Sequence, residues 1–189
     1  MSLAHNIAQV SPLTAVSLQD DKVVIGPMLP EDTGALFLWL NDVESANLDA
    51  PYRPLDYMAY NIWLAEFGKN QSQVLFAIRR LCAPAIIGFI GITKIHAVHR
   101  SAEIGVRIGQ PADRGHGLGR QALKLALGYA FSHLNLNRVH LTVLASNRPA
   151  IAAYEAAGFC LEGRQRCGAY INGAWEDVLL MAALKGAPV

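Results

Sequence analysis

Cysteine is scarce in this sequence: three in 189 residues, at Cys82, Cys160 and Cys167. Three unevenly spaced thiols give neither a disulfide framework nor the paired spacing of a zinc site, so reduced thiols in a cytoplasmic setting are expected. An excess of one charge is also missing. Sixteen Lys and Arg face fifteen Asp and Glu, a formal net charge of +1, which leaves no basic footprint for a long nucleic acid. Long hydrophobic runs are absent too. Apolar residues make up 52% of the chain, yet Gly, Lys or Arg breaks each stretch well short of a membrane span. Met1–Val16 has no basic segment leading into an apolar block, so no secretory signal is expected. With no repeats and no low-complexity tract, the length and apolar content suit one folded domain.

The pattern along the chain alternates between strand and helix periods. Residues 1–17 lack a period and are expected to form an N-terminal extension before a domain spanning 18–189. Val23-Val24-Ile25, closed by Pro27 and Pro30, predicts a first strand. Asp32 or Thr33 can cap a helix carrying Leu36, Phe37 and Leu40. Pro51 and Pro54 bracket a turn, and a helix over Tyr57–Phe67 puts Tyr60, Trp63, Leu64 and Phe67 on one face. Strands are predicted over Val74–Ile78, Ile86–Ile95 and Ala102–Ile108. A long helix then runs from Leu118 to about His133, its polar residues reduced to the stripe Gln121, Lys124, Gly128 and Ser132. So narrow a wet face is expected of a helix packed on a sheet. A strand over Val139–Leu144, a helix over Pro149–Ala157 ended by Gly158, and two strands flanking the hairpin pair Asn172-Gly173 complete the chain. The fold class implied is α/β (or α+β), a single domain with a mixed central sheet.

The segment Arg114-Gly115-His116-Gly117-Leu118-Gly119-Arg120 lies between a strand and the long helix. Alternating glycines let the backbone turn sharply and approach a ligand without Cβ clashes. The first amides of the helix point unpaired into that turn, where the helix dipole adds positive potential, so the place suits phosphate oxygens. A Walker loop would end in Gly-Lys-Ser/Thr, whereas Gly119 is followed by Arg120-Gln121. Gly117-Leu118-Gly119-Arg120-Gln121-Ala122 does fit G-x-G-x-x-A, but the acidic residue that a dinucleotide fold needs about 20 positions later is absent from Asn137–Leu141.

With these exclusions made, the loop resembles the pyrophosphate loop of the GNAT superfamily of acetyl-coenzyme A-dependent N-acetyltransferases, Arg/Gln-x-x-Gly-x-Gly/Ala, met by Arg114 to Gly119. Asn147 before the next helix and Tyr154 in Tyr154-Glu155-Ala156-Ala157-Gly158-Phe159 fit the family in order. Leu38-Trp39-Leu40-Asn41-Asp42 and the hairpin Tyr170–Asp177 resemble the branch of ribosomal-protein N-terminal and spermidine acetyltransferases. The resemblance covers about Val23–Leu184. It implies a twisted mixed sheet with helices on both faces, splayed where the pantetheine arm of acetyl-CoA enters. It also implies backbone contacts from Arg107, Ile108 and Gly109, a pyrophosphate wrapped by Arg114, Gly115, His116, Gly117, Leu118, Gly119 and Arg120, and Asn147 holding the arm from the other side. A homodimer is a family-level expectation.

Acetyl transfer needs a neutral amine at the thioester carbonyl and a proton for the departing sulfur. By spacing alone Tyr154 is a core tyrosine, and by resemblance it is the proton donor. Glu103 lies with Ser101, Gly105 and Arg107 on the polar face of its strand. It is either the base or amine-positioning group, or a carboxylate that is solvated or paired to Arg107. Acceptor selection is expected from Asp42–Phe67, with Tyr52, Arg53, Asp56, Tyr57 and Trp63 at the mouth. The acceptor implied is a protein N-terminus or a small amine, with a polyamine or aminoglycoside-type amine and a non-catalytic acyl-CoA sensor as alternatives. Ala50–Pro54 lacks the acids a polycation requires. His96 and His99 have no third ligand nearby, so no metal is expected. Cys160 is expected to be a buried structural thiol, and no Gly-x-Ser-x-Gly supports hydrolase chemistry.

Overall fold

The computed structural model describes residues 17–46, 51–81 and 83–186. Cys82 and all but the last residue of the expected N-terminal extension lie outside them. Eight strands form one sheet: β1 (Leu18–Gln19), β2 (Val23–Pro27), β3 (Val74–Arg80), β4 (Ile86–His96), β5 (Ser101–Ile108), β6 (Arg138–Leu144), β7 (Cys160–Ile171) and β8 (Ala174–Leu184). Five α-helices accompany them: α1 (Thr33–Leu40), α2 (Val43–Ala46), α3 (Tyr57–Lys69), α4 (Leu118–Ser132) and α5 (Arg148–Glu155). The spatial order is β1-β2-β3-β4-β5-β6-β8-β7, and β5–β6 is the parallel pair in an otherwise antiparallel ladder. The mixed sheet expected from the strand pattern is therefore present. β1 is a two-residue strand too short to give a sequence signal.

Alternation along β3 shows how the layers form. Phe76 and Ile78 face α4, where the Phe76 ring meets Tyr129 edge-on at 5.0 Å. Leu75 points the other way, into a cleft shared with Trp63 and Phe67 of α3. Helices thus cover both faces. α4 buries Leu118, Ala122, Leu123, Ala126, Leu127 and Ala130 against the sheet and leaves Lys124, Gly128 and Ser132 exposed, so the stripe has the expected polarity. The Asn172-Gly173 hairpin is a tight turn with φ of 51° and 82°, as a two-residue type I′ loop demands.

Two aspartates differ from their expected roles. Asp32 precedes α1 without capping it. Its carboxylate instead meets the fully buried Arg79 and accepts the Leu29 amide at 2.8 Å. Arg79 also donates to the carbonyls of Pro84 and Pro27, so one desolvated guanidinium ties β2, β3 and the entry to α1 together. Leaving either charge alone there would cost about 3–5 kcal/mol. Asp56, expected at the substrate mouth, is the N-cap of α3, accepting the amides of Met58 and Ala59 at 2.9 Å each. Tyr60 then docks α3 on α1 by donating to the Thr33 carbonyl at 2.7 Å, and burial pushes its phenol up to about 12.

Cys160 is a correction. It is exposed, as is Cys167. β7 is the sheet edge, and Ile171 is its one buried residue. Among the described residues no helix is long and apolar enough to cross a membrane.

Candidate active site

β5 is paired with β4 from Ser101 to Ile108, but with β6 only through Ser101–Arg138, Ala102–Val139 and Glu103–His140. Beyond Glu103 the two strands diverge. β6 instead keeps β8 along its whole length, Arg138–Leu184 to Leu144–Val178. The sheet is therefore open between Ile104–Ile108 and Leu141–Leu144, where β5 and β6 form no pairs.

Two cavities meet in this opening. One, of about 1060 Å³, runs from Ile108 and the glycine loop to Asn147 and α5. The other, of about 420 Å³, is bounded by Leu40, Trp63, Phe67, Phe89, Glu103 and Thr93 among others. Val106, Arg107, Thr142 and Tyr154 line both. Tyr154 is buried and packs edge-on against Phe159 at 5.7 Å.

The larger cavity has a wall made of backbone. A single 3₁₀ turn, Pro111–Asp113, leads into Gly115 and Gly117 with φ of 78° and 77°, a conformation that costs a Cβ-bearing residue about 1–2 kcal/mol. Gly117 is the left-handed N-cap of α4, and its carbonyl takes the first helical bond from Gln121 at 3.1 Å. The amides of Leu118, Gly119 and Arg120 precede any intrahelical acceptor and point into the turn. Leu118 itself is core, so it offers only its amide. Arg120 curls over the loop, its guanidinium 3.6 Å from where a Cβ on Gly117 would sit. Three unpaired amides, a helix dipole and the exposed His116 and Arg120 fit a diphosphate. A cavity of this volume fits the arm that would follow it.

Arg114, which lines the larger cavity, and Gly109 have partners within the protein. Arg114 turns inward and is a staple of the loop: it donates to the Ile108 carbonyl (3.1 Å), the Gly109 carbonyl (2.9 Å) and the Ser45 hydroxyl (2.9 Å). Gly109 is engaged at both ends, its amide on the Ile87 carbonyl at 2.9 Å, and it does not line the cavity. A Cβ there would fall 2.0–2.4 Å from the Trp39 indole, so Gly109 is small because Trp39 rests on it. Asn147 does line the cavity, with its Oδ1 capping α5 through the Ala150 amide at 3.2 Å.

The smaller cavity has walls of side chains. Trp63 and Phe67 of α3 meet edge-on at 5.0 Å. Arg107 lies 5.9 Å from the Phe89 ring centre and donates to the Trp39 carbonyl at 3.2 Å. Glu103 meets Lys94 at 2.5 Å. Tyr52 is half-buried and Arg53 exposed on the extended segment before α3, and neither lines either of these two cavities. His96 and His99 stack at 4.1 Å, and among the described residues no three candidate ligands gather for a metal.

Sequence reasoning missed Trp39, Ser45, Asp42, Thr142 and Lys94. Asp42 accepts from the Ser45 hydroxyl and amide, and that hydroxyl bond, more than the nearby Arg114, holds its carboxyl below the usual range. Asp42, Ser45 and Arg114 thus form a chain from the α1–α2 corner to the phosphate loop. Trp39 and Asp42 stood in the Leu38–Asp42 segment used for the resemblance, which was their one available signal.

Residues 22–160 match the model of the acetyltransferase (GNAT) domain family. A spermidine N(1)-acetyltransferase of Vibrio cholerae is 37% identical over 100 residues, 53% of this chain and 57% of that protein, so the chain spans little more than half of that relative's length. A crystal structure of the Vibrio cholerae spermidine N-acetyltransferase, with CoA and spermine, superposes at a TM-score of 0.79 and 25% identity, covering 88% of this chain and 97% of that one. A ribosomal-protein-S5-alanine acetyltransferase from Vibrio fischeri shares the fold at a TM-score of 0.77 and 21% identity, over 92% of this chain and 100% of that one. The chain belongs to the GNAT acetyltransferase family.

Proposed function

We propose, from that membership as premise, that the chain is an acetyl-CoA-dependent N-acetyltransferase whose acceptor is a primary amine, on a small molecule or a protein N-terminus. Acetyl-CoA, when bound, supplies the activated acetyl group. The chain's own residues do the rest. Gly115 to Arg120 offer amides and cationic side chains to the diphosphate. Backbone on the open side of Arg107 and Ile108, with Asn147 opposite, lines the arm's path. Bringing acyl donor and amine together in one opening supplies much of the rate, since effective molarities of held reactants are high.

Tyr154 lies where the two cavities join, so its hydroxyl is suited to hand a proton to the departing sulfur. Glu103 faces the acceptor side and can orient the amine or take its proton. Trp63, with Phe67 and Phe89, lines the acceptor cleft. The observation that carries this reading is the meeting of two cavities at Tyr154 in the gap between β5 and β6. Release of free CoA thiol from acetyl-CoA, measured over a panel of amines and of peptides with varied first residues, tests it. Amine-dependent release supports the transferase, and CoA binding without release on any amine overturns it.

A further inference from the structure

Resting on the transferase reading, we propose that Lys94 sets acceptor specificity by occupying Glu103, the one carboxylate among the described residues that line the acceptor cleft, so that the cleft takes a small primary monoamine bearing an aromatic or branched apolar group in preference to a polycation.

The cleft's chemistry supports this. Leu40, Trp63, Phe67, Leu75 and Phe89 supply apolar surface. Among the described residues that line it, Glu103 is the single carboxylate and Arg107 the single cation. A polyamine carries several ammonium groups, and each leaves water only where a negative partner replaces its hydration. Here Glu103 is already matched. Lys94 Nζ sits 2.5 Å from Glu103 Oε2. Two described acids on the same side are engaged elsewhere: Asp56 caps α3, and Glu66 lies 3.7 Å from Lys69.

A bulge in β4 accompanies the pairing. The register between β4 and β5 shifts between Thr93 and His96, and Lys94 there has φ +52°, which non-glycine residues seldom adopt. Such an irregularity re-aims a side chain, here across to Glu103 on the neighbouring strand. The pair is more than half solvent-exposed on the lysine side, 76% against 30% for Glu103. Its influence is therefore a modest electrostatic bias, sufficient for selectivity and not for folding.

The test is equilibrium binding of 2-phenylethylamine, spermidine and a peptide with an apolar first residue to the CoA-loaded protein, with thiol release from acetyl-CoA followed in parallel. The native chain should bind phenylethylamine about tenfold or more tighter than spermidine, and Lys94→Met should improve spermidine about fivefold while leaving phenylethylamine nearly unchanged. Lys94→Glu should improve spermidine further. Tighter spermidine than phenylethylamine in the native chain, or spermidine affinity unmoved by both variants, overturns the proposal. So does a peptide that outcompetes phenylethylamine, since the acceptor would then be a protein N-terminus. The expected binding pattern without thiol release would leave Lys94's assignment standing and overturn the transferase reading instead.

Discussion

The two walls of the opening between β5 and β6 are built from different materials. On the cofactor side the surface is mainly backbone: glycines at positive φ, the first amides of α4, and loop carbonyls pinned by Arg114. On the acceptor side it is side chain, with aromatics from α3 and β4 around a Lys94–Glu103 pair. A wall of amides recognises one invariant group whatever else is bound, whereas a wall of side chains can be retuned one residue at a time. The difference teaches that changes on the first side should act alike on every acceptor, and changes on the second should act on ratios between acceptors.

The largest effect is expected where the walls meet. Tyr154→Phe should lower kcat by about a hundredfold or more, the scale of a lost general acid, with CoA affinity unchanged. Steady-state kinetics alongside a CoA titration would show it, and unaltered turnover would remove Tyr154 from the chemistry. Next, Gly117→Val places a branched side chain at φ 77° and should weaken CoA about tenfold, from roughly 1–2 kcal/mol of left-handed strain. That loss should be the same for each amine, and a loss that varied with the amine would erase the distinction between the walls. Trp63→Ala should raise KM for an apolar amine about fivefold, from roughly 1 kcal/mol of half-buried aromatic contact, while leaving KM for acetyl-CoA in place.

The smallest effects separate the walls by pH. Asp42 is held below the ordinary carboxylate range, first by the Ser45 hydroxyl. Its contribution is complete above the unfolded value and is lost as pH falls through the lower folded one. Acid should therefore loosen the Asp42–Ser45–Arg114 staple on the cofactor side. Tyr60 is pushed up to about 12 by burial. Its contribution is complete below the unfolded value of about 10 and is lost as pH rises through the folded one, so alkali should loosen α3 on the acceptor side. CoA affinity in the acid limb and Trp63 fluorescence in the alkaline limb would report the two separately.

The same contrast decides what was legible in the sequence. Strand and helix periods gave nearly every element, because alternation in β5 and the narrow polar stripe of α4 are local. The cofactor wall was legible because its loop and helix start lie within Arg114–Arg120, seven consecutive residues. Even there spacing could not say that Arg114 faces inward or that Gly109 yields to Trp39, since both depend on α1 folding over the end of β5. The acceptor wall draws Leu40, Trp63, Phe89, Glu103 and Thr142 from five elements, and no local pattern joins them. Lys94 adopts its left-handed conformation without a glycine to mark it. Cys160 looked buried because Phe159 beside it is core, yet at a sheet edge one residue's shift reaches solvent.

Calorimetric titration with CoA and, separately, with NAD tests the central claim most directly. CoA should bind one to one, about tenfold more weakly in Gly117→Val but undiminished in Tyr154→Phe. Binding of NAD in preference to CoA, or CoA affinity indifferent to Gly117→Val, would contradict it.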